Sequence, residues 1–184
     1  MINIGDRLAS DFSDPLGVLS DCHRRVERFL HTLVLVTEQA AGGGLTTKQR
    51  DALEAGLRYF ADAAPLHTAD EEDSLFPRLR LTDDARLAPA LHTLEALHHD
   101  HEVARAGHAD VDRLGHRWLA DGRLSPEDVQ RLAARLHELD GIYQRHIMVE
   151  DRELFPLARR VLAPALVHAI GAEMARRRGL TPPA

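Results

Sequence analysis

The strongest constraint on the fold is an eleven-residue pattern that the chain contains twice. His-x-x-x-Glu-x-x-x-Leu-Phe-Pro begins at His67 and again at His146, 79 residues later. An internal repeat of this kind indicates that a chain is built from related structural units. Apolar residues around each copy recur at helical spacing, so we predict two related helical units.

A second, shorter match precedes each copy of this pattern. Leu19 and His23 have the same separation as Leu97 and His101, which lie 78 residues further along the chain. Each half of the chain therefore contributes one lone histidine on one helix and one His-x-x-x-Glu on the next. We interpret the two halves as related helix hairpins.

Residues that start and stop helices divide the chain into four long helices and a short one. Capping side chains stand at four predicted starts, two of them followed by proline, and the glycines at 42–44 and Gly122 are typical stops. Pro77 and Pro156 are expected to kink or end their helices. The predicted helices run from Pro15 to about Gln39, from Thr46 to about Leu79, from Asp83 or Asp84 to about Leu119, from Ser125 onward, and from Pro164 as a short fifth helix.

These boundaries lead to a fold class. No stretch of alternating apolar and polar residues is long enough for a strand. We expect an all-α fold, an up-down-up-down antiparallel four-helix bundle with a short C-terminal fifth helix. The 184 residues suffice for one well-packed domain and are few for two. The predicted single domain spans 1–184, with its bundle over about 14–162 and the short helix and tail over 163–184.

The two His-x-x-x-Glu pairs interrupt apolar helix faces. Residues four apart lie on one face of a helix, so His67 projects beside Glu71 and His146 beside Glu150. Burying carboxylates and imidazoles costs several kcal/mol for each uncompensated charge. Cations compensate such groups directly, and a di-metal carboxylate centre between helices is a known use of a bundle core.

The two motifs resemble those of the hemerythrin-like (HHE cation-binding) family. Its members carry a histidine on the first helix and His-x-x-x-Glu near Leu-Phe-Pro on the second, and both features recur on the third and fourth helices. The match covers about Asp14 to Leu162. A single His-x-x-x-Glu is a weak signal, whereas two copies with Leu-Phe-Pro in one chain are specific.

The resemblance implies a centre of two iron ions with an oxo or hydroxo bridge, and manganese or zinc are the alternative metals. Nitrogen and oxygen donors without thiolate favour iron or manganese over copper. Carried over position by position, the resemblance implies four terminal imidazoles and two bridging carboxylates. The implied terminal ligands are His23, His67, His101 and His146, and the implied bridges are Glu71 and Glu150.

Several positions leave alternatives to this ligand set. On the third helix, the repeat offset and the apolar face favour His101, and His98, one turn away, is its alternative. Glu72 and Asp151 directly follow the two predicted bridging glutamates and are alternatives to them. Tyr143, one turn before a predicted histidine ligand, is expected to contact the bridging oxygen or the pocket beside it.

The chain has twelve histidines, and most of them follow no pattern. His108 lies two turns beyond His101 on nearly the same face, so we expect it in the core or beside the ligands. The remaining histidines without a pattern are expected at the surface or in packing contacts. They are His31, His92, His116, His137 and His168.

Composition excludes several classes of partner. The net charge is −6 and acidic and basic residues are interspersed along the helices, so there is no basic stripe for nucleic acid. One cysteine, Cys22, makes no internal disulfide, is expected to be a buried small residue, and fits the reducing cytoplasm. We expect neither export nor membrane insertion, because the N-terminal residues include charges and no window has the uncharged length of a span.

The expected function is that of a cytoplasmic non-haem di-iron protein that binds or reduces O2, NO or peroxide at an open coordination position. Stress response, iron-centre repair and iron handling are the expected settings, with a monomer or a homodimer as the active form. Oxygen-carrying hemerythrins have a second histidine where Glu102 follows His98 here, so the carrier set is incomplete. The alternatives are a non-catalytic module that stores or senses iron or oxygen, and a structural zinc-binding bundle.

Overall fold

The computed structural model of the protein describes residues 10–183, and within them it contains helices and no strand. The predicted all-α fold is confirmed. Residues 1–9, most of the N-terminal stretch for which no export signal is predicted, lie outside the described part. In that part, no helix combines the length and the apolar character that crossing a bilayer requires.

The helical elements follow one another with short connections. The α-helices are α1 (Pro15–Ala40), α2 (Thr47–Asp62), α3 (Ala64–Ala69), α4 (Phe76–Leu81), α5 (Ala88–Asp121), α6 (Pro126–Val149), α7 (Phe155–Val161) and α8 (Pro164–Arg177). Two π-helical turns, π1 (Asp70–Leu75) and π2 (Glu150–Leu154), lie within the second and fourth bundle helices, and a 3-10 turn (Ala85–Leu87) precedes α5.

Three of the four predicted helix starts are capped as expected. The side chains of Asp14, Thr46 and Ser125 each accept a hydrogen bond from the backbone N–H three residues later. Asp84 accepts from the N–H of Arg86 and so caps the 3-10 turn, not α5 itself. At the other end of α5, Gly122 has the left-handed φ of 73° that favours glycine at a helix stop.

The second bundle helix is not the continuous helix that we predicted to run to about Leu79. It consists of α2, α3, π1 and α4, with a break at Ala63, and it ends at Leu81. The break lies just before Pro65, which has no N–H to continue the helical hydrogen bonds. The Ala64-Pro65 step in the sequence is the local signal for this break.

The two Leu-Phe-Pro prolines follow π-turns and do not end their helices. In each turn, an N–H donates to the carbonyl oxygen five residues earlier, from Phe76 to Glu71 and from Phe155 to Glu150. A proline ring crowds the carbonyl four residues before it, and the wider turn relieves this crowding. The bundle helices then continue through α4 and α7.

Contacts between two loops, at the end of the bundle opposite the Leu-Phe-Pro segments, agree with the predicted order of the helices. The N–H of Leu124 donates to the Gly42 oxygen over 2.8 Å, and Trp118 Nε1 donates to the Gly43 oxygen over 2.9 Å. The loop after α1 therefore meets the loop after α5. In addition α1 packs on α2 and α6, and α5 packs on the same two helices. An up-down-up-down bundle predicts these neighbours.

The interior is divided into two apolar layers with a polar layer between them. Along α1, Leu19 belongs to one apolar layer and Val26 to the other. Along α5, Leu97 and Ala104 are divided in the same way. The lone histidines of the two repeats lie between these pairs, so the polar residues face one another across the bundle.

The fifth bundle helix, α8, covers the end of the bundle that holds the Leu-Phe-Pro segments. Ile170 and Met174 are fully buried in the apolar layer of that end. The backbone of Gly171 approaches the carbonyl oxygen of Phe12 so closely that a side chain would not fit. As a result, α8 is packed firmly onto Phe12, α1 and π1.

Candidate metal centre

All six predicted ligands meet in the polar layer, and none is more than 6% exposed. Their nitrogen and oxygen atoms form two groups, in each of which one atom per residue lies within 4.8 Å of the others. One group holds His23, His67, Glu71 and Glu150, and the other holds Glu71, His101 and His146. Glu71 belongs to both groups.

In the first group, two histidines from the first half of the chain face both glutamates. His23 Nε2 lies 3.1 Å from Glu150 Oε2 and 3.8 Å from Glu71 Oε1. His67 Nε2 lies 3.4 Å from the same Glu71 oxygen. His67 and Glu71, four residues apart on the helix, therefore do project side by side as predicted.

The second group holds the two histidines from the other half of the chain. His101 Nε2 lies 3.3 Å from Glu71 Oε2, and His146 Nε2 lies 3.2 Å from Glu150 Oε2. The two Nε2 atoms are 3.1 Å apart. Glu71 therefore presents one oxygen to each group, whereas Glu150 presents the same oxygen to His23 and His146.

The buried carboxylates lack the hydrogen bonds that buried polar groups normally have. Both oxygens of Glu71 and both oxygens of Glu150 are buried without a hydrogen-bond donor. Unpartnered buried carboxylates are costly, and native proteins satisfy such groups or bind cations with them. Four imidazole nitrogens around two such carboxylates form a donor set that suits iron, manganese or zinc.

The histidines keep both carboxylates ionised. Burial alone would raise the pKa of Glu71, but His67, His101 and His23 around it hold that pKa well below its ordinary value. For Glu150, burial and Glu71 both act to raise the pKa, and His146 with His23 reverses their effect. The centre therefore offers two anionic oxygen donors near neutral pH.

Acidic side chains outside the centre orient the lone histidines. Asp151 Oδ1 lies 3.0 Å from His23 Nδ1, and Glu72 Oε1 lies 2.8 Å from His101 Nδ1. Such hydrogen bonds direct the other ring nitrogen inward, as carboxylates beside metal-binding histidines do. Glu72 and Asp151 were considered only as alternative bridges, but their repeat position after each glutamate was a signal for this pairing.

Each Leu-Phe-Pro phenylalanine packs against the lone histidine of the other half. Phe155 stacks on the ring of His23 with centroids 5.4 Å apart, and Phe76 is parallel to His101 at 6.3 Å. The π-turns precede these phenylalanines directly. Their aromatic rings therefore close the apolar side of both histidines.

The remaining histidines lie away from the two groups. His98 is half-exposed and its Nδ1 lies 2.9 Å from Glu72, on the outer side of the centre. Of the histidines within the groups, His146 and His67 both have a buried Nδ1 without a hydrogen-bond partner, although Asp100 lies within ion-pair distance of His146 Nδ1, at 3.4 Å. The histidines without a sequence pattern are exposed, as predicted: His31, His92, His116, His137 and His168.

Tyr143 and His108 form a separate pair beside the centre. The Tyr143 hydroxyl lies 2.9 Å from His108 Nε2, and Phe60 stacks on the His108 ring at 4.2 Å. Tyr143 lines the pocket that reaches His101, which is one of the two positions predicted for it. His108 is partly buried and packs on Phe60 of the apolar core, which agrees with one of the two positions predicted for it.

A buried ion pair next to Glu71 was missed in the sequence. Asp70 is fully buried, and its two oxygens accept hydrogen bonds from Arg177 over 2.9 Å and from Arg178 over 2.7 Å. Both arginines lie in the predicted short helix and tail over 163–184. No local pattern links residues so far apart in the chain, because only the packing of α8 brings them together.

Comparisons with known proteins identify the family of the chain. The family model described as Hemerythrin HHE cation binding domain matches residues 14–158. An uncharacterized protein of Haemophilus influenzae is 30% identical over 174 residues, which cover 91% of each chain. The matched region contains both groups of candidate ligands. The chain therefore belongs to the hemerythrin family of HHE cation-binding domains.

Proposed function

We propose that the chain is a cytoplasmic di-iron protein that takes O2, NO or peroxide at an open coordination position. In this proposal it acts in stress response, iron-centre repair or iron handling. The proposed terminal ligands are His23, His67, His101 and His146, and the proposed bridges are Glu71 and Glu150.

The observation that carries this proposal is the position of Glu71. Its Oε1 faces His67 and its Oε2 faces His101, and neither oxygen has a hydrogen-bond donor. A carboxylate that presents one bare oxygen to each of two histidine groups suits a bridge between two cations. Hydrogen bonding alone would leave this buried anion unsatisfied.

The donor count supports an open position at each ion. Each group supplies two imidazole nitrogens and carboxylate oxygen, a set that leaves free positions on non-haem iron(II). Bound iron would supply electron transfer and direct coordination of a small ligand. The protein's own residues orient the imidazoles through Asp151 and Glu72, and the apolar layers on either side exclude bulk water.

Elemental analysis of anaerobically purified protein, together with its visible spectrum, tests the proposal. We expect about two iron ions per chain, because two histidine groups share the carboxylates. His67→Ala and His146→Ala are expected to lose metal and thermal stability. His31→Ala and His137→Ala, which change exposed histidines, are the matched controls and should retain both.

Consumption assays then separate the proposed function from its alternatives. Repeated consumption of nitric oxide or hydrogen peroxide supports the di-iron protein with turnover. Stoichiometric uptake without turnover indicates a binding or sensing module. A colourless protein that contains zinc and shows no redox response contradicts the di-iron proposal.

A further inference from the structure

A cavity of about 460 Å³ lies beside the candidate centre, between α2, α3 and α5. Exposed residues form its mouth, among them Ala61, Pro65 and Ala109. Buried apolar side chains, including Phe60 and Ala104, form its inner wall. The cavity therefore extends from the surface into the bundle.

The inner end of this cavity touches the candidate centre. His101, whose Nε2 faces Glu71, lines the cavity together with its outer partner Glu72. A molecule in the cavity would therefore lie against one ring of the second histidine group. Of this group, His101 lines the cavity, whereas Glu71 and His146 lie behind it.

One nitrogen of a polar pair in the cavity wall has no hydrogen-bond partner. Tyr143 and His108 line the cavity and bond to each other through the hydroxyl and Nε2. His108 Nδ1 is buried and has no hydrogen-bond partner. Burial lowers the pKa of His108 to about 4, so that the ring is neutral near pH 7. The pair offers hydrogen bonds without charge.

The volume of the cavity and the charges that line it limit the size and the charge of a ligand. Small-molecule sites are mostly apolar pockets of roughly 300 to 1,000 Å³ with a few polar groups, whereas one water occupies only about 30 Å³. A diatomic ligand therefore leaves most of this space unused. Among the lining residues, Glu72, Asp73 and Asp112 outnumber the single cation Arg105, which disfavours an anionic ligand.

We propose that this cavity binds a neutral, mainly apolar organic molecule and holds it beside the centre, with its one polar group at Tyr143 and His108. The substrate class of the centre would then extend beyond diatomic gases and hydrogen peroxide. The position beside a metal rests on the proposed function, whereas binding in the cavity does not.

The test uses 2-phenyl-2-propanol as the probe and the full chain after anaerobic loading with iron(II). Calorimetric titration should show saturable binding of one probe per chain, and benzoate, which carries a negative charge on a similar ring, should bind at least about tenfold more weakly. Proton relaxation of the probe should be faster with the iron(II) protein than with the zinc-loaded protein, because the cavity ends at His101.

Variants at the mouth and at the polar pair locate the probe. Ala109→Trp should weaken binding by about tenfold or more, because it fills the mouth, and Ala120→Trp, at an exposed position of α5 away from the cavity, should change it by less than about twofold. Tyr143→Phe should weaken binding of the alcohol but not of isopropylbenzene, which has no hydroxyl group.

The outcomes separate the two proposals. If two ions are bound and the probe shows no saturable binding, or if Ala109→Trp and Ala120→Trp bind it equally, the cavity proposal is overturned and the di-iron proposal stands. If the probe binds as expected to a chain that takes up no metal, the cavity proposal is supported and the di-iron proposal is overturned.

Discussion

The π1 and π2 turns carry the same motif in the two halves of the chain, yet only their inner sides are alike. In both turns, the glutamate of the His-x-x-x-Glu pair, Glu71 or Glu150, is fully buried. The residue after it, Glu72 in π1 and Asp151 in π2, bonds to the lone histidine of the opposite half. Each half therefore orients a histidine of the other, and the centre requires both.

The outer sides of the two turns differ. Asp70 of π1 corresponds in the repeat to Val149, and the buried Ser74 corresponds to the exposed Glu153. Arg177 from α8 bonds to both Asp70 and Ser74, over 2.9 and 2.7 Å. The half that carries π1 is thus fastened to α8 by buried polar contacts, whereas that face of π2 is partly open to solvent. The two halves therefore share the ligand geometry but differ in the contacts that hold each π-turn in place.

The largest expected effect is a difference in metal content between variants of the two proposed bridging glutamates. Glu71→Gln should lower the metal content below one ion per chain, because Glu71 presents an oxygen to each group, whereas Glu150→Gln should retain about one ion. Metal analysis after anaerobic purification measures this. Asp73→Asn and Glu153→Gln, which change exposed acids of the same turns, are the controls. Equal losses from the two glutamine variants would show that the bridges are equivalent.

The second prediction removes the support that only π1 has. Asp70→Val gives π1 the residue that the repeat has at Val149 and should lower the free energy of unfolding by about 2 to 3 kcal/mol, because it leaves two arginines without their buried partner. Denaturant unfolding measures the change. Arg159→Gln breaks an exposed pair with Asp14 and should cost less than about 0.5 kcal/mol. Similar costs for the two variants would contradict a special role for Asp70.

The third prediction compares the outer partners of the lone histidines. Asp151→Asn and Glu72→Gln should each weaken metal affinity by at least about tenfold, because the histidine loses a charged partner that orients it. Competition with a chelator of known affinity measures each effect. Asp112→Asn, which changes an acid paired with the exposed His116, should leave affinity unchanged. A loss in only one of the two outer-partner variants would mean that the halves orient their histidines differently.

The smallest expected effect is a difference in charge between the imidazoles of His67 and His146. Burial lowers the pKa of His67 to about 4. Burial also acts to lower the pKa of His146, but Glu150 and Asp100 overcome it and raise that pKa to about 10. In the metal-free protein at pH 7, nitrogen chemical shifts should therefore show a neutral His67 and a charged His146.

This difference has a consequence for metal binding. An imidazole must be neutral to bind a metal, so His146 has to release a proton near pH 7 and His67 does not. Affinity at the second group should rise with pH between about 5 and 9, while His67 contributes no pH dependence in that window. Identical ionisation of the two rings in the nitrogen spectra would contradict this prediction.

Much of the candidate centre was predictable because its ligands obey local spacing and a repeat. The i,i+4 relation places His67 beside Glu71 without any tertiary information. The offset of the repeat selects His101 over the half-exposed His98. The π-turns were not predicted, because one widened turn shifts the apolar pattern by only about one residue, which helical periodicity alone does not resolve. Pro77 showed where the helix had to adjust, but not how.

By itself, the sequence determined an all-helical chain made of two related halves, with a histidine and glutamate pattern that belongs in a helix interior. Helical periodicity and capping act over a few residues, so these properties are local. Only the tertiary structure decided that Asp151 orients His23, that α8 fastens Asp70, and that a cavity ends at His101. Those contacts join residues far apart in the chain, and they exist only because burying the apolar layers brings the helices together.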